Sequence, residues 1–416
     1  MNEVRNVLLG FEINKEGSQI CYYDRKAQEP VSVPTKVGTN LFVFPTELAK
    51  TEGKSEWHFG LEAEYFGHLK GGILLDDLYD IVQGTEPKMV DRTLMEPWEI
   101  LGVFLRESLK LLGLRDLTKS ISAVMLTTKK LSGTFAGNIK KAFESLGFLK
   151  GQYFLQDAME SFYYYTYSQK PEFWLRRTAL FSFENTGNVV FSEISEDRGS
   201  RPSVVTIRNS EPVKLSDVPD VRDLEFLEYA SGHMKADVYS CVLLTGGGFD
   251  REWSKRSVQF LCRCNRKVFY GDNLFVKGAC YAAFERKENH AFRGRLYMGE
   301  DLVRTNVGME MLVQGNPAYY PLVAAGTNWF EVADSCEFIL DDKESLVFSV
   351  NSMDGQSKKF FSMQLPGLPV RPNRTTRIRL NVFCTSRSSC TVEAEDLGFG
   401  GLFPSSHKVW RETLAL

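Results

Sequence analysis

Between Pro97 and Glu196 two kinds of text alternate, and that alternation constrains the fold more than any other feature of the chain. Pro97 to Leu112, PWEILGVFLRESLKLL, carries a proline near its start and places Leu101, Phe104, Leu105, Leu109 and Leu112 on one face, as an amphipathic helix does. SISAVMLTT (120–128) reads as a buried strand, and GTFAGNIKKAFESLGF (133–148) as a second helix closed by Gly147. GQYFLQDAMESFYYYTYSQ then reads as a strand and a tyrosine-rich helix, and TALFSFENTGNVVFSEISE (178–196) as a hairpin with a polar tip. Strand, helix, strand, helix, strand is α/β grammar.

The flanks extend it. From 5 to 50 the text is strand-like, with turns at Gly17-Ser18 and around Pro30 to Gly38, and a short helix follows Gly60. Residues 198–235 are polar and match no template. DVYSCVLLTGGGFDREWSKRSVQFLCRCN (237–265) reads as buried strand, three glycines and helix, and VFYGDNLFVKGACYAAFERK (268–287) as a short strand, Asp272 and a helix with small residues on one face. After about residue 290 strands and turns recur roughly every ten residues, with no helical pattern before the last residues, which predicts a β-sandwich. The domains expected are 1–293 and 305–405, with the boundary between Gly294 and Thr305.

At 416 residues the chain is long enough for two or three domains with ample core. With 43% hydrophobic and 25% charged residues it has the balance of an ordinary soluble globular protein. A net charge of −3 gives no field favouring nucleic acid or anionic membrane, so neither partner is expected. No basic start followed by an apolar run reads as a signal peptide, and no apolar run approaches the roughly 20 residues of a membrane span. Eight cysteines are scattered without a C-x-x-C pair and five histidines without ligand spacing, so no metal site is expected. Buried free thiols and a reducing cytoplasm follow.

Three pieces in order carry a family resemblance: the N-terminal hairpin with Glu12 at its shoulder, the hairpin tip Glu184-Asn185-Thr186-Gly187-Asn188, and LLTGGGFDREW followed by YGDNLFVKGACYAAF. The sequence resembles the actin and DnaK-type chaperone ATPase superfamily, whose two phosphate hairpins and adenosine motif come in that order. Asp157 falls near the acid of the chaperones' NEPTAAA segment, and Asp272, Gly278 and Ala279 match their PDEAVAxGAAxxA text. FFSMQLPGLPVRPNRTTRIRLNVFCTSRSSCTVEAEDLGFG (360–400) is similar to the chaperones' peptide-binding β-sandwich, with Leu368, Pro369, Pro372, Ile378, Val382, Val392, Ala394 and Asp396 matching. The resemblance implies a two-lobed α/β ATPase fold followed by an all-β sandwich. It also implies a cleft for ATP or ADP with Mg²⁺. That cleft would be contacted by Asn14, Lys15, Ser182, Asn185, Thr186, Gly187, Gly246, Gly247, Gly248, Phe249 and Asp272, with Glu12 and Asp157 as catalytic acids.

The departures change the expected function. The family places an aspartate in each hairpin; here Glu12 and Ser182 stand there. Its first turn is Gly-Thr-Thr; here it is Asn14-Lys15-Glu16, and Glu16 beside phosphate is repulsive. Lys70 is the candidate for the catalytic lysine. No lid follows the sandwich, and the coupling linker is reduced to GEDLVRTNV, with Leu302 and Val303 apolar. Phosphoryl transfer depends on positioned charge, so these losses predict a pseudo-ATPase scaffold of chaperone type that binds protein or peptide partners, with nucleotide as a structural ligand. A slow Mg²⁺-dependent ATPase and an actin-like filament former are the alternatives. Plainer readings stand beside each residue: Gly246–Gly248 as a tight turn, Glu12 as a strand-end acid, Asp157 as a helix cap, the tyrosines at 163–165 and 167 as packing. Lys129-Lys130 and the arginines at 371, 374, 377 and 379 read as solvated, and a hydrophobic groove lined from YYPLVAAGTNWFEV (319–332) would support peptide binding.

Overall fold

The computed structural model describes residues 6–416 apart from 37, 235–238, 342–343 and 354. The expected strand beginning at Asp237 therefore starts outside the described residues. Two compact units divide the chain, Met1–Tyr297 and Met298–Leu416. The second begins before the expected 305: Leu302 and Val303, read as a linker, are 7% and 0% exposed, and Val303 belongs to its core. It runs past 405 because the last residues form a strand rather than a helix.

Two mixed sheets organise the first unit. In one, β1 (Val7–Asn14) pairs antiparallel with β2 (Gly17–Asp24), and β2 with β3 (Glu29–Ser32). On the other side of β1 lie β4 (Ile121–Thr128) and then β5 (Tyr153–Asp157), both parallel. In the other sheet β6 (Arg177–Phe183) pairs antiparallel with β7 (Asn188–Asp197), and β7 with β8 (Ser203–Asn209). Beside β6 lie β9 (Tyr239–Thr245) and β10 (Lys267–Tyr270), again parallel. The orders are β5-β4-β1-β2-β3 and β10-β9-β6-β7-β8, so one spatial plan with one set of strand senses occurs twice. A short β11 (Arg295–Tyr297) extends the second sheet beyond β8.

The helices form where the sequence placed caps. Pro97 opens α1 (Pro97–Leu109), and Glu96 and Glu99 close a reciprocal capping box. Ser132 caps α2 (Gly133–Ser145) by accepting from the Phe135 N–H at 3.1 Å. The tyrosine-rich α3 (Ala158–Ser168) follows β5. In the stretch that matched no template, α4 (Pro219–His233) buries only a narrow line, Asp223, Phe226 and Ala230. Buried Asp223 accepts from the Arg256 and Ser257 N–H groups, both at 2.9 Å, and so caps α5 (Lys255–Leu261). Finally α6 (Leu274–Phe284) packs on both β1 and α3. A Cβ on Gly278 would lie 2.0 Å from the Ser161 carbonyl oxygen, so only glycine permits that approach.

The second unit is a sandwich of two four-stranded sheets around one core. One sheet has β12 (Thr305–Val313), β13 (Asn316–Val323), β15 (Ser345–Ser352) and β16 (Lys358–Gln364); the other has β14 (Ala333–Ile339), β17 (Arg377–Ser386), β18 (Ser389–Gly398) and β19 (Val409–Ala415). The orders are β13-β12-β15-β16 and β14-β17-β18-β19. Phe348, Val350 and Met363 from one sheet meet Ile378, Leu380, Val382, Val392 and Leu414 from the other. Alternation along β17 and β18 drives this, since period 2 sends every second side chain inward. In the stretch 319–332, Leu322, Val323, Trp329 and Val332 are buried, while Tyr319 is exposed. The arginines are all paired, and Arg374, Arg377 and Arg379 are also exposed as expected, whereas Arg371 is buried. Arg371 is buried against Asp396 with two bonds of 2.7 Å, Arg374 meets Asp341, and Arg377 and Arg379 meet Glu337.

Candidate functional site

The repeated plan brings four strand ends to one place. The parallel pairs β1 with β4 and β6 with β9 end at a cleft of about 160 Å³. Its wall is built from the β1–β2 hairpin tip, Lys129 after β4, Glu184 and Asn185 at the β6–β7 tip, Thr245 to Gly247 after β9, and Asp272 and Phe275 at the start of α6. Carboxyl ends of central strands are where open α/β sheets place ligands.

Of the residues expected to bind or act, Glu12, Asn14, Asn185, Gly246, Gly247 and Asp272 line this cleft. The hairpin turn is Lys15-Glu16 rather than Gly17-Ser18, because Asn14 pairs directly with Gly17. Lys15 leaves the cleft and pairs with Asp80 at 2.6 Å in solvent. Asp157 is the N-cap of α3, accepting from the Glu160 N–H at 2.6 Å, and does not line the cleft. Nor do Ser182, Thr186, Gly187, Gly248 and Phe249. The Ser182 hydroxyl is buried without a hydrogen-bond partner among the described residues. Thr186 bonds to Glu184 within its own turn, and Gly187 closes that turn through the Glu184 carbonyl at 3.0 Å. Phe249 packs in a cluster with Phe183, Trp253 and Tyr270. Lys70 ends the helix Leu61–Leu69, its ammonium 5.8 Å from the Tyr65 ring centroid.

The three glycines serve packing. Gly246 has φ +101°, and a Cβ there would lie 1.9 Å from the Phe183 carbonyl oxygen. On Gly247 and Gly248 a Cβ would lie 2.3 Å from Asn185 Oδ1 and from the Glu184 carbonyl oxygen. The loop after β9 thus beds against the second hairpin.

Glu12 is the chemical centre. It is 7% exposed, and burial pushes its carboxyl up to about 7, against the opposing influence of Lys129, the Asn14 amide and the Val276 backbone. Asn14 Nδ2 donates to Glu12 Oε1 at 2.7 Å, while Asn14 Oδ1 accepts from the Lys129 N–H at 2.8 Å, so Asn14 ties the hairpin to the loop after β4. Lys129, read from sequence as solvated, is exposed; it also borders the cleft and pairs with Glu16 at 3.0 Å. Gln19 Nε2 donates to the Asp272 carbonyl oxygen at 2.8 Å, and the Asp272 carboxylate accepts from the Tyr270 hydroxyl at 3.0 and 3.1 Å. With burial, that carboxylate pushes Tyr270 up to about 12. Gln19, Lys129, Thr245 and Phe275 were missed in the sequence. The available signal was position: Thr127 registers with Glu12, and Thr245 with Ser182, at equivalent strand ends.

Carboxylates of the cleft already carry hydrogen bonds. Magnesium takes one or two carboxylates in a near-octahedral oxygen shell. Here Asp272 is engaged by Tyr270 and Glu184 by Thr186 and Asn188, and no three His, Cys, Asp or Glu side chains converge among the described residues. No helix among the described residues is long and apolar enough to cross a membrane.

Residues 29–300 match a family of unknown function (DUF5716, C-terminal), and residues 302–416 match a domain of unknown function (DUF8552). The first match spans more than half of the chain, and the chain belongs to that family. The break between the matches falls within a few residues of the division into two units, and the first match begins after the hairpin that carries Glu12. No curated protein matches.

Proposed function

We propose that this chain is a scaffold of the actin and DnaK type that has given up ATP hydrolysis and holds a protein or peptide partner in a reducing cytoplasm. The observation that carries the reading is the repeated strand order of the first unit, with both hairpin tips bordering one cleft. A duplicated plan with its cleft at the strand ends supports a two-lobed ATPase-type fold, and the residues in the cleft support loss of the chemistry. Glu12 is buried and half-protonated near neutrality, Ser182 does not reach the cleft, and the two acids beside the first tip, Glu12 and Glu16, face a single lysine. At about 160 Å³ the cleft is also smaller than the roughly 300–1,000 Å³ of ordinary small-molecule sites. ATP or ADP with Mg²⁺ is therefore the test ligand rather than the working one.

The sandwich supports the partner role through its edges. β16 is an edge strand with sequence KKFFSMQ, and Phe360 on it is 63% exposed. An exposed edge with an aromatic anchor suits an added peptide strand. Single-turnover assay with Mg-ATP tests the scaffold reading. The expected result is no phosphate release above the uncatalysed rate; release abolished by Glu12→Ala would establish the slow ATPase in its place.

A further inference from the structure

Cys384 and Cys390 stand directly opposite each other near the turn of the β17–β18 hairpin, one on each strand. Both belong to the sandwich core, at 7% and 0% exposure. Directly opposite residues hold their Cβ atoms about 4.5–5.5 Å apart, and a disulfide needs roughly 3.5–4.5 Å. A closing movement on the order of 1 Å therefore joins them. The register already breaks between Cys384 and Ser386, beside the pair, so the strand is least constrained there. The thiols share a hydrogen bond in which Cys390 is the donor; it lowers the Cys384 thiol from its ordinary value and raises that of Cys390. The contact of Cys390 Sγ with the Thr391 carbonyl oxygen is long, at 3.9 Å. A second close pair, Cys21 and Cys280, is placed differently. Both are 0% exposed, and the Cys21 thiol is spent on the Val276 carbonyl oxygen at 3.0 Å. Above Cys384 and Cys390 only the rung Ser386–Ser389 precedes the turn, so opening that rung gives a small oxidant its route to Cys384.

We propose that Cys384 and Cys390 are a reversible redox pair, closed to a disulfide by a peroxide and reopened by a dithiol reductant. The Cys384 thiolate attacks one oxygen of hydrogen peroxide. An S–O bond forms, the O–O bond breaks, and the departing hydroxide takes up the proton that Cys384 lost, leaving as water. Cys390 then attacks the sulfenic sulfur. The S–S bond forms, the S–O bond breaks, and the hydroxyl leaves with the Cys390 proton as a second water. Two thiols and one peroxide thus give one disulfide and two waters. In a reducing compartment the disulfide is transient, and a dithiol that becomes a disulfide itself restores the thiols. The bond closes the loop that carries Arg387, which donates to the Glu300 carbonyl oxygen at 3.2 Å and pairs with its carboxylate at 3.4 Å. Oxidation therefore fixes the turn that holds the segment by which the chain enters the sandwich.

The test treats the full chain, reduced and then freed of reductant, with hydrogen peroxide. Remaining thiols are alkylated in denaturant and the tryptic peptides are mapped by mass spectrometry. Trypsin cuts after Arg387, so the two cysteines fall in separate peptides that only a disulfide joins. That linked pair is the expected result, lost on adding dithiothreitol, with Cys21 and Cys280 recovered as alkylated thiols. Cys390→Ala should strand Cys384 as a sulfenic acid that dimedone traps, and Cys384→Ala should leave Cys390 unlabelled. Amide hydrogen exchange across 385–389 should slow in the oxidised chain. Recovery of Cys384 and Cys390 as free thiols from the peroxide-treated wild type would overturn the proposal, as would linkage of either to another cysteine instead. Equal dimedone labelling of the two variants would overturn the assigned roles, and unchanged exchange would overturn the fixing of the turn. Each variant is checked for the wild-type urea transition; if one fails to fold, the wild-type map still decides.

Discussion

Replacing Glu12 by glutamine removes a buried carboxyl whose ionisation opposes the folded state. Burial raises its carboxyl from 4.5 to about 7. A folded-state value above the unfolded one means that the folded chain holds the proton more tightly. The stabilisation from that proton is complete below about pH 4.5, declines as pH rises, and is gone above about pH 7. The gap corresponds to about 3 kcal/mol at roughly 1.36 kcal/mol per pH unit. Glutamine keeps an oxygen to accept from Asn14 and carries no charge, so Glu12→Gln should lack this slope. Urea unfolding of the full chain and the variant at pH 4.5, 5.5, 6.5 and 8 gives the difference in stability at each pH, in which every other titrating group cancels. The variant should gain on wild type by about 1.4 kcal/mol per pH unit across the window, reaching about 3 kcal/mol by pH 8. A difference constant across that range to within about 0.5 kcal/mol would refute the claim that Glu12 is buried and protonated near neutrality.

Lys129→Met removes the cation facing Glu12 and should move the upper end of that window to higher pH in the same experiment. In the sandwich, Arg371→Met leaves the fully buried Asp396 carboxylate without its bidentate partner and should destabilise the second unit by about 3–5 kcal/mol, while Arg371→Met with Asp396→Leu should recover most of that loss in urea unfolding. Burial alone would raise Asp396, but hydrogen bonds from Arg371, Ser406 and Gly398 hold it well below its usual 3.8, so its contribution is present above that value and is lost as pH falls below it; Asp396→Asn should flatten the acid limb of the sandwich transition. Gly246→Ala should cost about 2 kcal/mol or more, because its Cβ would meet the Phe183 carbonyl at 1.9 Å with φ at +101°, and thermal unfolding of the first unit measures it.

Much of the fold was legible because its signals are local. Period 3.6 in 97–109, Ser132 before α2, Gly147 after it and the alternation in β17 and β18 all act over a few residues. The helix α4 was not legible, since it buries a narrow line and its key residue, Asp223, works by capping a helix that starts more than thirty positions later. The arginines of 371–379 read as one solvated patch because spacing along a chain cannot tell a buried partner at Asp396 from water. Leu302 and Val303, read as a linker, were likewise apolar residues whose destination, core or surface, the sequence does not state.

The site divides along the same line. Glu12, Asn14, Asn185, Gly246, Gly247 and Asp272 came from motifs at strand ends, and strand ends are fixed by local hydrogen bonding and turn chemistry. The sequence by itself determined α/β grammar through the first part of the chain and a β-sandwich after it; the repeat of one strand plan came only with the structure. Only the tertiary structure decided what the cleft is made of. It turned Lys15 out to Asp80, set the exposed Lys129 beside Glu16 at the border of the cleft, bedded the glycines against the second hairpin, and buried Glu12 and Gln19. Which charges meet in the cleft is set by the packing of segments more than a hundred residues apart, and no local pattern carries that information.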